Sequence, residues 1–275
     1  MNDEHISLIS EQLPIERHQR FNKDTITILD VPFDNVTKSD MIQKINTFVQ
    51  QPGDNNLFIV TANPEIVYYA KTHEKYLYRI MHADYIIPDG IGIIKAAKYL
   101  NQPLTERIPG IELMEEMLKV ANLHHKKVFL LGASKETVKQ CKKNLRVQYP
   151  NIIFKSKHGY KDIHDYKTLL KIKKFEPDFV FVAMGYPKQE SFIYYYQHHF
   201  KHTIFMGVGG SFDVFSGNVK RAPVIFRKMN LEWFYRIITD WKRLKRSVMI
   251  PLFLSEVVKQ KHALKDAHDY LKDKA

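Results

Sequence analysis

The stretch Tyr85-Ile86-Ile87-Pro88-Asp89-Gly90-Ile91-Gly92-Ile93-Ile94 decides the fold. Four residues of strand character end at Pro88, which cannot continue a sheet ladder. An Asp-Gly turn follows, and then the first turn of a helix. Gly90 and Gly92 let the backbone turn tightly and pass close to a ligand. Asp89 therefore stands at a strand-to-helix corner, the place where open α/β sheets bind their ligands. A carboxylate there has two readings. It can take a proton as a general base, or it can cap the helix, since Asp is a favoured N-cap residue.

Outward from this corner the same unit recurs. Thr25 to Val31 reads as a strand closed by Pro32. A helix through Met41, Ile42, Ile45, Phe48 and Val49 follows, and Gly53-Asp54-Asn55 breaks it. Leu57-Phe58-Ile59-Val60 is a strand that ends in Thr61-Ala62-Asn63-Pro64-Glu65, with Asn63 at the cap and Pro64 at the first position of a helix reaching Met81. Beyond the corner come a helix through Leu100, the loop Arg107-Ile108-Pro109-Gly110 and a helix to Leu123. Val128 to Leu131 is a strand that delivers Gly132-Ala133-Ser134 into the helix Lys135 to Tyr149. A short strand at Ile152–Phe154, a helix from Asp165 to Phe175, a strand from Phe179 and a helix to Phe200 follow, and Ile204 to Gly210 is the last strand.

Strands alternating with helices of 10–20 residues imply βαβ units, and continuously apolar strands imply burial on both faces. The expected class is α/β: a mainly parallel, Rossmann-like sheet with helices on both faces, plus a C-terminal helical appendage. The expected division is a loose leader over 1–23, an α/β core over 24–221 and a basic amphipathic appendage over 222–275. In the appendage Trp233, Ile237, Trp241, Leu244 and Val248 form one stripe, with Arg236, Arg243 and Arg246 beside it. Pro251 is expected to interrupt this helical run.

The chain has 275 residues, with 42 lysines and arginines against 30 acids, a net charge of +12 and a pI near 9.4. That balance suits a polyanionic partner: nucleic acid, an anionic membrane or a phosphorylated substrate. A single cysteine, Cys141, excludes an internal disulfide framework or a cysteine metal cluster. No secretory signal and no apolar run of about 20 residues is evident, so the expected location is the cytoplasm, free or on a membrane surface. No Asp-x-Asp, His-Glu-x-x-His or Gly-x-Ser-x-Gly pattern supports metal or serine chemistry. His198, His202, His124 and His125 read as surface histidines. Gly207-Val208-Gly209-Gly210 is misplaced for a dinucleotide fingerprint, and Gly132-Ala133-Ser134 lacks the ending of a phosphate loop. What remains is a set of polar and glycine residues at successive strand ends: Thr61, Asn63, Asp89, Gly132, Gly185, Gln189 and Gly209-Gly210. Each alone reads as a turn or cap; together they make a nucleotide-sized crevice.

Thr61-Ala62-Asn63-Pro64-Glu65, Pro88-Asp89-Gly90-Ile91-Gly92, Arg107-Ile108-Pro109-Gly110, Gly185-Tyr186-Pro187-Lys188-Gln189-Glu190, Gly207 to Asp213, Arg221-Ala222-Pro223 and Leu231 to Arg236 resemble, in order, the WecG/TagA/CpsF glycosyltransferases, most of all their TagA/TarA-type N-acetylmannosaminyltransferases of wall teichoic acid synthesis. The resemblance implies transfer of N-acetylmannosamine from UDP-N-acetylmannosamine to undecaprenyl-diphosphate-N-acetylglucosamine. It implies a β-1,4 linkage made with inversion, no metal or other cofactor, and an appendage that meets the anionic inner face of the cell membrane. On that basis Asp89 is the expected base. Thr61, Asn63, Gly90, Arg107, Gly132 and Gln189 are expected to line the sugar and phosphate pocket, with Asp213 at the nucleoside end. Arg236, Arg243 and Arg246 are expected on diphosphate, because guanidinium binds phosphate through paired hydrogen bonds. A homo-oligomer is compatible with this reading; nucleic acid is not an expected partner. The alternative from another class is a nucleotide-binding protein without transferase activity whose basic tail binds nucleic acid.

Overall fold

A computed structural model of the chain describes residues 24–159, 166–223, 225–226, 229, 235 and 248–272. The 1–23 leader lies outside the described residues, and so do Arg236, Arg243 and Arg246 with most of the stripe they belong to.

The centre is a six-stranded, all-parallel sheet. Its strands in chain order are β3 (Leu57–Ala62), β4 (Tyr85–Pro88), β5 (Lys127–Gly132), β6 (Ile153–Lys157), β7 (Phe179–Ala183) and β8 (Ile204–Gly207), and in space they run β4-β3-β8-β7-β5-β6. Every residue of β3, β7 and β8 is buried, which is why these strands read as unbroken apolar runs. One hydrophobic core lies on each face. The first holds side chains of α2 (Pro64–Thr72), α3 (Glu74–Met81), α4 (Ile91–Tyr99), α7 (Tyr166–Lys173) and α8 (Lys188–Tyr196). The second holds those of α1 (Lys38–Gln50), α5 (Gly110–Leu123), α6 (Lys135–Gln148) and α9 (Ser211–Phe215).

From β3 across to β5 neighbouring strands send the chain to opposite faces, while β4 and β3 both lead into helices on the first face. β3 leads into α2 on one face and its neighbour β8 into α9 on the other; β7 leads into α8 and its neighbour β5 into α6. Loops diverging in this way leave a crevice along the carboxyl edge of the sheet.

The structure corrects several element boundaries. Thr25 to Val31 is not one strand closed by Pro32 but a hairpin, β1 (Thr25–Ile28) and β2 (Val31–Asp34), paired antiparallel with Pro32 opposite Thr27. Leu29 and Asp30 make its two-residue turn at φ 47° and 68°, the positive values that match strand twist. Pro32 is tolerated because this sheet has only two strands and both are edges. The helix expected to reach Met81 breaks at His73 into α2 and α3, with the His73 ring stacked on Tyr69 at 3.8 Å. The helix expected to reach Phe200 ends at Tyr196 and gives way to a 3-10 turn, Gln197–His199. Pro251 lies in the first turn of α10 (Met249–Lys272), where a missing N–H costs nothing, and most of the run it was expected to interrupt lies outside the described residues. His202 is not a simple surface histidine; its ring stacks on Phe48 at 4.5 Å and its Nδ1 is buried.

Helix α10 packs on α2 and α4 and drives Phe253 and Val257 into the first core. Gln260 fastens it to the hairpin: its Oε1 accepts from the Leu29 N–H at 3.0 Å, and its Nε2 donates to the Thr27 carbonyl at 3.1 Å. The C-terminal segment therefore ends on the sheet's own core.

Candidate active site

Thr61, Asn63, Asp89 and Arg107 meet at the carboxyl ends of β3 and β4. The Asp89 N–H donates to the Ala62 carbonyl at 2.9 Å, and the Ile108 N–H donates to the Pro88 carbonyl at 2.9 Å, so the Arg107 loop is laid along the Asp89 corner. Asn63 caps α2, its Oδ1 accepting from the Ile66 N–H at 3.0 Å. The cap position of α4 belongs to Gly90, at φ 127°, and not to Asp89. Asp89 thus sits one residue before the cap.

The glycines here are spacers of defined size. A Cβ on Gly110 would lie 2.8 Å from Thr61 Oγ1, and one on Gly92 would lie 2.7 Å from Pro64 Cγ. These approaches bring three helix starts, those of α2, α4 and α5, to one corner. Each helix start carries unpaired N–H groups and the positive end of a dipole, so the corner attracts anions.

A second group spans the exits of β7 and β8. Gln189, at the start of α8 and 5% exposed, accepts through its one Oε1 from the Gly185 N–H at 3.2 Å and from the Gly209 N–H at 3.0 Å. Its amide is spent on these loops, so Gln189 shapes the crevice wall from within. Tyr186-Pro187, between the two, is a cis peptide.

A third group lies at the exit of β5. Gly132 has φ 117°, and a Cβ there would strike the Ala183 carbonyl oxygen at 2.3 Å, so only glycine fits between β5 and β7. Ser134 caps α6 by accepting from the Thr137 N–H at 3.1 Å. Asp213, on α9, packs on this side next to α6. Its charge reaches Cys141, whose thiol is pushed up to about 12 chiefly by burial and secondarily by Asp213.

The sequence-predicted residues within the described part therefore share one edge of the sheet. Thr61, Asn63, Asp89, Gly90 and Arg107 converge at β3–β4; Gln189 stands at β7–β8; Gly132 and Asp213 belong to the β5–α6–α9 side. Two contributors stand in the quoted motifs but were given no role from sequence. Arg221 donates from Nη2 to Glu112 Oε1 at 2.9 Å, with Glu115 3.6 Å from its Nη1, while Lys38 Nζ holds the other Glu112 oxygen at 3.2 Å. Glu112 is in the first turn of α5, beside Gly110 and Thr61, so the C-terminal segment is rooted at this same corner. Glu190 is the other; it is 2% exposed although it follows Lys188-Gln189 in a helix with no polar-to-apolar rhythm to announce it. Two open hollows lie away from this edge, one against α1 at Asp40, Lys44 and Tyr85, the other at Tyr78, Arg79 and Tyr194. Among the described residues no three His, Cys, Asp or Glu are grouped as metal ligands, and no helix is long and apolar enough to cross a membrane.

Comparison with known proteins gives the chain's relatives. The Glycosyl transferase WecG/TagA/CpsF family model matches residues 26–267. An N-acetylglucosaminyldiphosphoundecaprenol N-acetyl-beta-D-mannosaminyltransferase of Staphylococcus aureus (strain NCTC 8325 / PS 47) is 51% identical over 249 residues, 90% of this chain and 98% of the relative. The protein of the same name from strain MRSA252 is 50% identical over the same shares. Matched over most of its length by the family model and by relatives at about half identity, the chain belongs to the WecG/TagA/CpsF family of glycosyltransferases.

Proposed function

We propose that the chain transfers N-acetylmannosamine from UDP-N-acetylmannosamine to undecaprenyl-diphosphate-N-acetylglucosamine, forming a β-1,4 linkage with inversion and without a metal, in wall teichoic acid linkage-unit synthesis. The observation that carries this reading is the 51% identity with the staphylococcal transferase across 98% of that protein. The acceptor is a lipid, so the work is done at the inner membrane surface, with the 222–275 segment as the part that approaches it.

The reaction needs one displacement. The acceptor hydroxyl oxygen forms its bond to the anomeric carbon as the bond from that carbon to UDP breaks, and the electron pair leaves with UDP. Asp89 takes the hydroxyl proton as general base. Its corner supports this role because Asp89 stands where three helix starts favour anionic groups. Thr61, Asn63, Gly90 and Arg107 hold sugar and phosphate there; Gly132 and Gln189 shape the neighbouring wall, and Asp213 serves the nucleoside end. Arg236, Arg243 and Arg246 bring guanidinium groups to the leaving UDP or the acceptor diphosphate, from a segment anchored at its root by Arg221 on Glu112.

The test is UDP release from UDP-N-acetylmannosamine with and without a lipid-diphosphate-N-acetylglucosamine acceptor, in the presence of EDTA. Release that requires the acceptor and survives chelation is expected, with the new linkage β by NMR. No acceptor-dependent release, or a product of retained configuration, removes the proposal.

A further inference from the structure

Glu190 is a carboxyl group inside the first core that the reaction does not use. One oxygen, Oε1, accepts from Gln189 Nε2 at 2.7 Å. The other lies beside the buried hydroxyl of Tyr76 on α3, and neither atom makes a well-formed hydrogen bond. The two groups are electrostatic neighbours: after burial itself, the Glu190 charge is the main influence pushing the Tyr76 hydroxyl upward. Burying a carboxyl costs free energy unless it is neutral or well bonded, and burial does push Glu190 above the ordinary carboxylate range. Such a cost calls for a role.

That role is visible in Gln189. Its amide can face either way, and only one way works. Oε1 must face the Gly185 and Gly209 N–H groups, because an NH2 turned toward them would meet donors with donors. Glu190 decides the matter by offering an acceptor on the opposite side. Gly207 leaves the room: a Cβ there would lie 2.7 Å from Gln189 Nε2.

We propose that Glu190 is a positioning residue, an acceptor inside the core that fixes the Gln189 amide so that one oxygen holds the β7 and β8 exit loops together at the carboxyl edge. The line runs from Glu190 to Gln189 Nε2, through the amide to Oε1, and from there to Gly185 on one loop and Gly209 on the other. Substitution at a residue with no access to the crevice then loosens two loops of the crevice wall.

The chain has eleven glycines, so nitrogen-labelled glycine gives a spectrum in which amide exchange at Gly185 and Gly209 can be followed without substrate. In Glu190→Met, where length is kept and the acceptor lost, exchange at these two should quicken about tenfold or more while Gly132 and Gly207 stay protected. Glu190→Gln, which can still present an oxygen to Gln189, should keep both within about threefold of wild type. Gln189→Leu removes the brace directly and should repeat the Glu190→Met pattern, which keeps the test decisive if Glu190→Met does not fold. Unchanged protection at Gly185 and Gly209 in Gln189→Leu or Glu190→Met overturns the proposal. Exchange that rises equally at all core glycines, or a Glu190→Gln variant as loose as Glu190→Met, overturns it too. The kinetic counterpart rests on the proposed transferase reading: KM for the nucleotide sugar should rise in Glu190→Met more than kcat falls, and Glu190→Gln should restore it. Because exchange is read without substrate, failure of the brace and failure of the reaction assignment are told apart.

Discussion

Strand β4 carries an aspartate at each end, and the two serve different ends. Asp84, just before the strand, accepts the Phe58 N–H on Oδ2 at 2.7 Å and returns its own N–H to the Phe58 carbonyl at 2.8 Å. Its edge repeats the device. Asp178 Oδ2 accepts the Lys127 N–H at 2.7 Å, Asp34 Oδ2 the Ile86 N–H at 2.7 Å, and Asn56 Oδ1 the Thr203 N–H at 2.9 Å. Asp89, just after the strand, stands among glycine corners and helix starts. The difference follows from the direction of a parallel sheet. At the amino edge, N–H groups entering the strands need acceptors, and short carboxylates and amides supply them. At the carboxyl edge the helices begin, their N–H groups face outward, and the local field suits a bound anion. The same residue type therefore closes one edge and serves the other.

The largest expected effect sets these two aspartates against each other. Asp89→Asn should lower kcat by roughly a hundredfold to ten-thousandfold, the usual worth of a general base, while stability stays within about 0.5 kcal/mol. Asp84→Asn should do the reverse. It weakens a charged acceptor on a strand-initial N–H and should cost about 1–3 kcal/mol of stability, with turnover per folded molecule retained. Thermal unfolding and kinetics on the same two preparations decide it. An Asp84→Asn protein that folds as well as wild type but does not turn over, or an active Asp89→Asn, collapses the distinction.

That distinction was not legible in the sequence. Asp84 and Asp89 flank the same four residues, and nothing in composition separates a residue that ties a strand from one that faces a ligand; the glycine after Asp89 was the only sign. The fold was legible because strands buried on both faces leave unbroken apolar runs, and because Asn63-Pro64 and Ser134 are local caps whose chemistry acts within three residues. The β1–β2 turn was missed because Leu29-Asp30 carries none of the glycine or asparagine that normally marks a positive-φ hairpin. The burial of Gln189 and Glu190 was missed for a related reason: their partners are Gly185, Gly209 and Tyr76, and only the packing of α3 on α8 brings Tyr76 beside Glu190. The basic stripe of Arg236, Arg243 and Arg246 was legible as a pattern, since charge and apolar spacing are sequence properties, while its site lies outside the described residues.

A smaller effect sharpens the comparison by pH. Glu190 is buried, and its carboxyl is pushed up from the usual 4.5, first by desolvation and against the lowering effect of Gln189 and Tyr76. A carboxyl raised in the folded state holds a proton that the unfolded chain has released. Its favourable contribution is complete below pH 4.5 and declines as pH climbs toward the folded-state value. Glu190→Gln cannot ionise, so its melting temperature relative to wild type should move upward as pH rises from 5 to 8. A difference that is flat across that range would show that the folded protein holds Glu190 no more tightly protonated than the unfolded chain does.

The smallest effect falls on Asn63, which belongs to both worlds. Its Oδ1 is spent locally as the cap of α2, whereas the residue itself sits against Gly90 at the converging corner. Asn63→Ser keeps an oxygen for the cap and removes only the amide NH2, so stability should change by no more than a few tenths of a kcal/mol. Any rise in KM for the nucleotide sugar then measures what that NH2 does for the substrate, about threefold to tenfold for one neutral hydrogen bond. The amino-edge counterpart gives the opposite result for a stated reason. Asn56 spends both ends of its amide on the fold, donating from Nδ2 to the Gln197 carbonyl at 2.7 Å and the Phe200 carbonyl at 2.8 Å while accepting from Thr203. Asn56→Ser should therefore lower stability and leave KM alone. If Asn63→Ser also left KM untouched, Asn63 would be a helix cap that happens to stand at the corner, and the substrate contacts there would fall to Thr61 and Arg107.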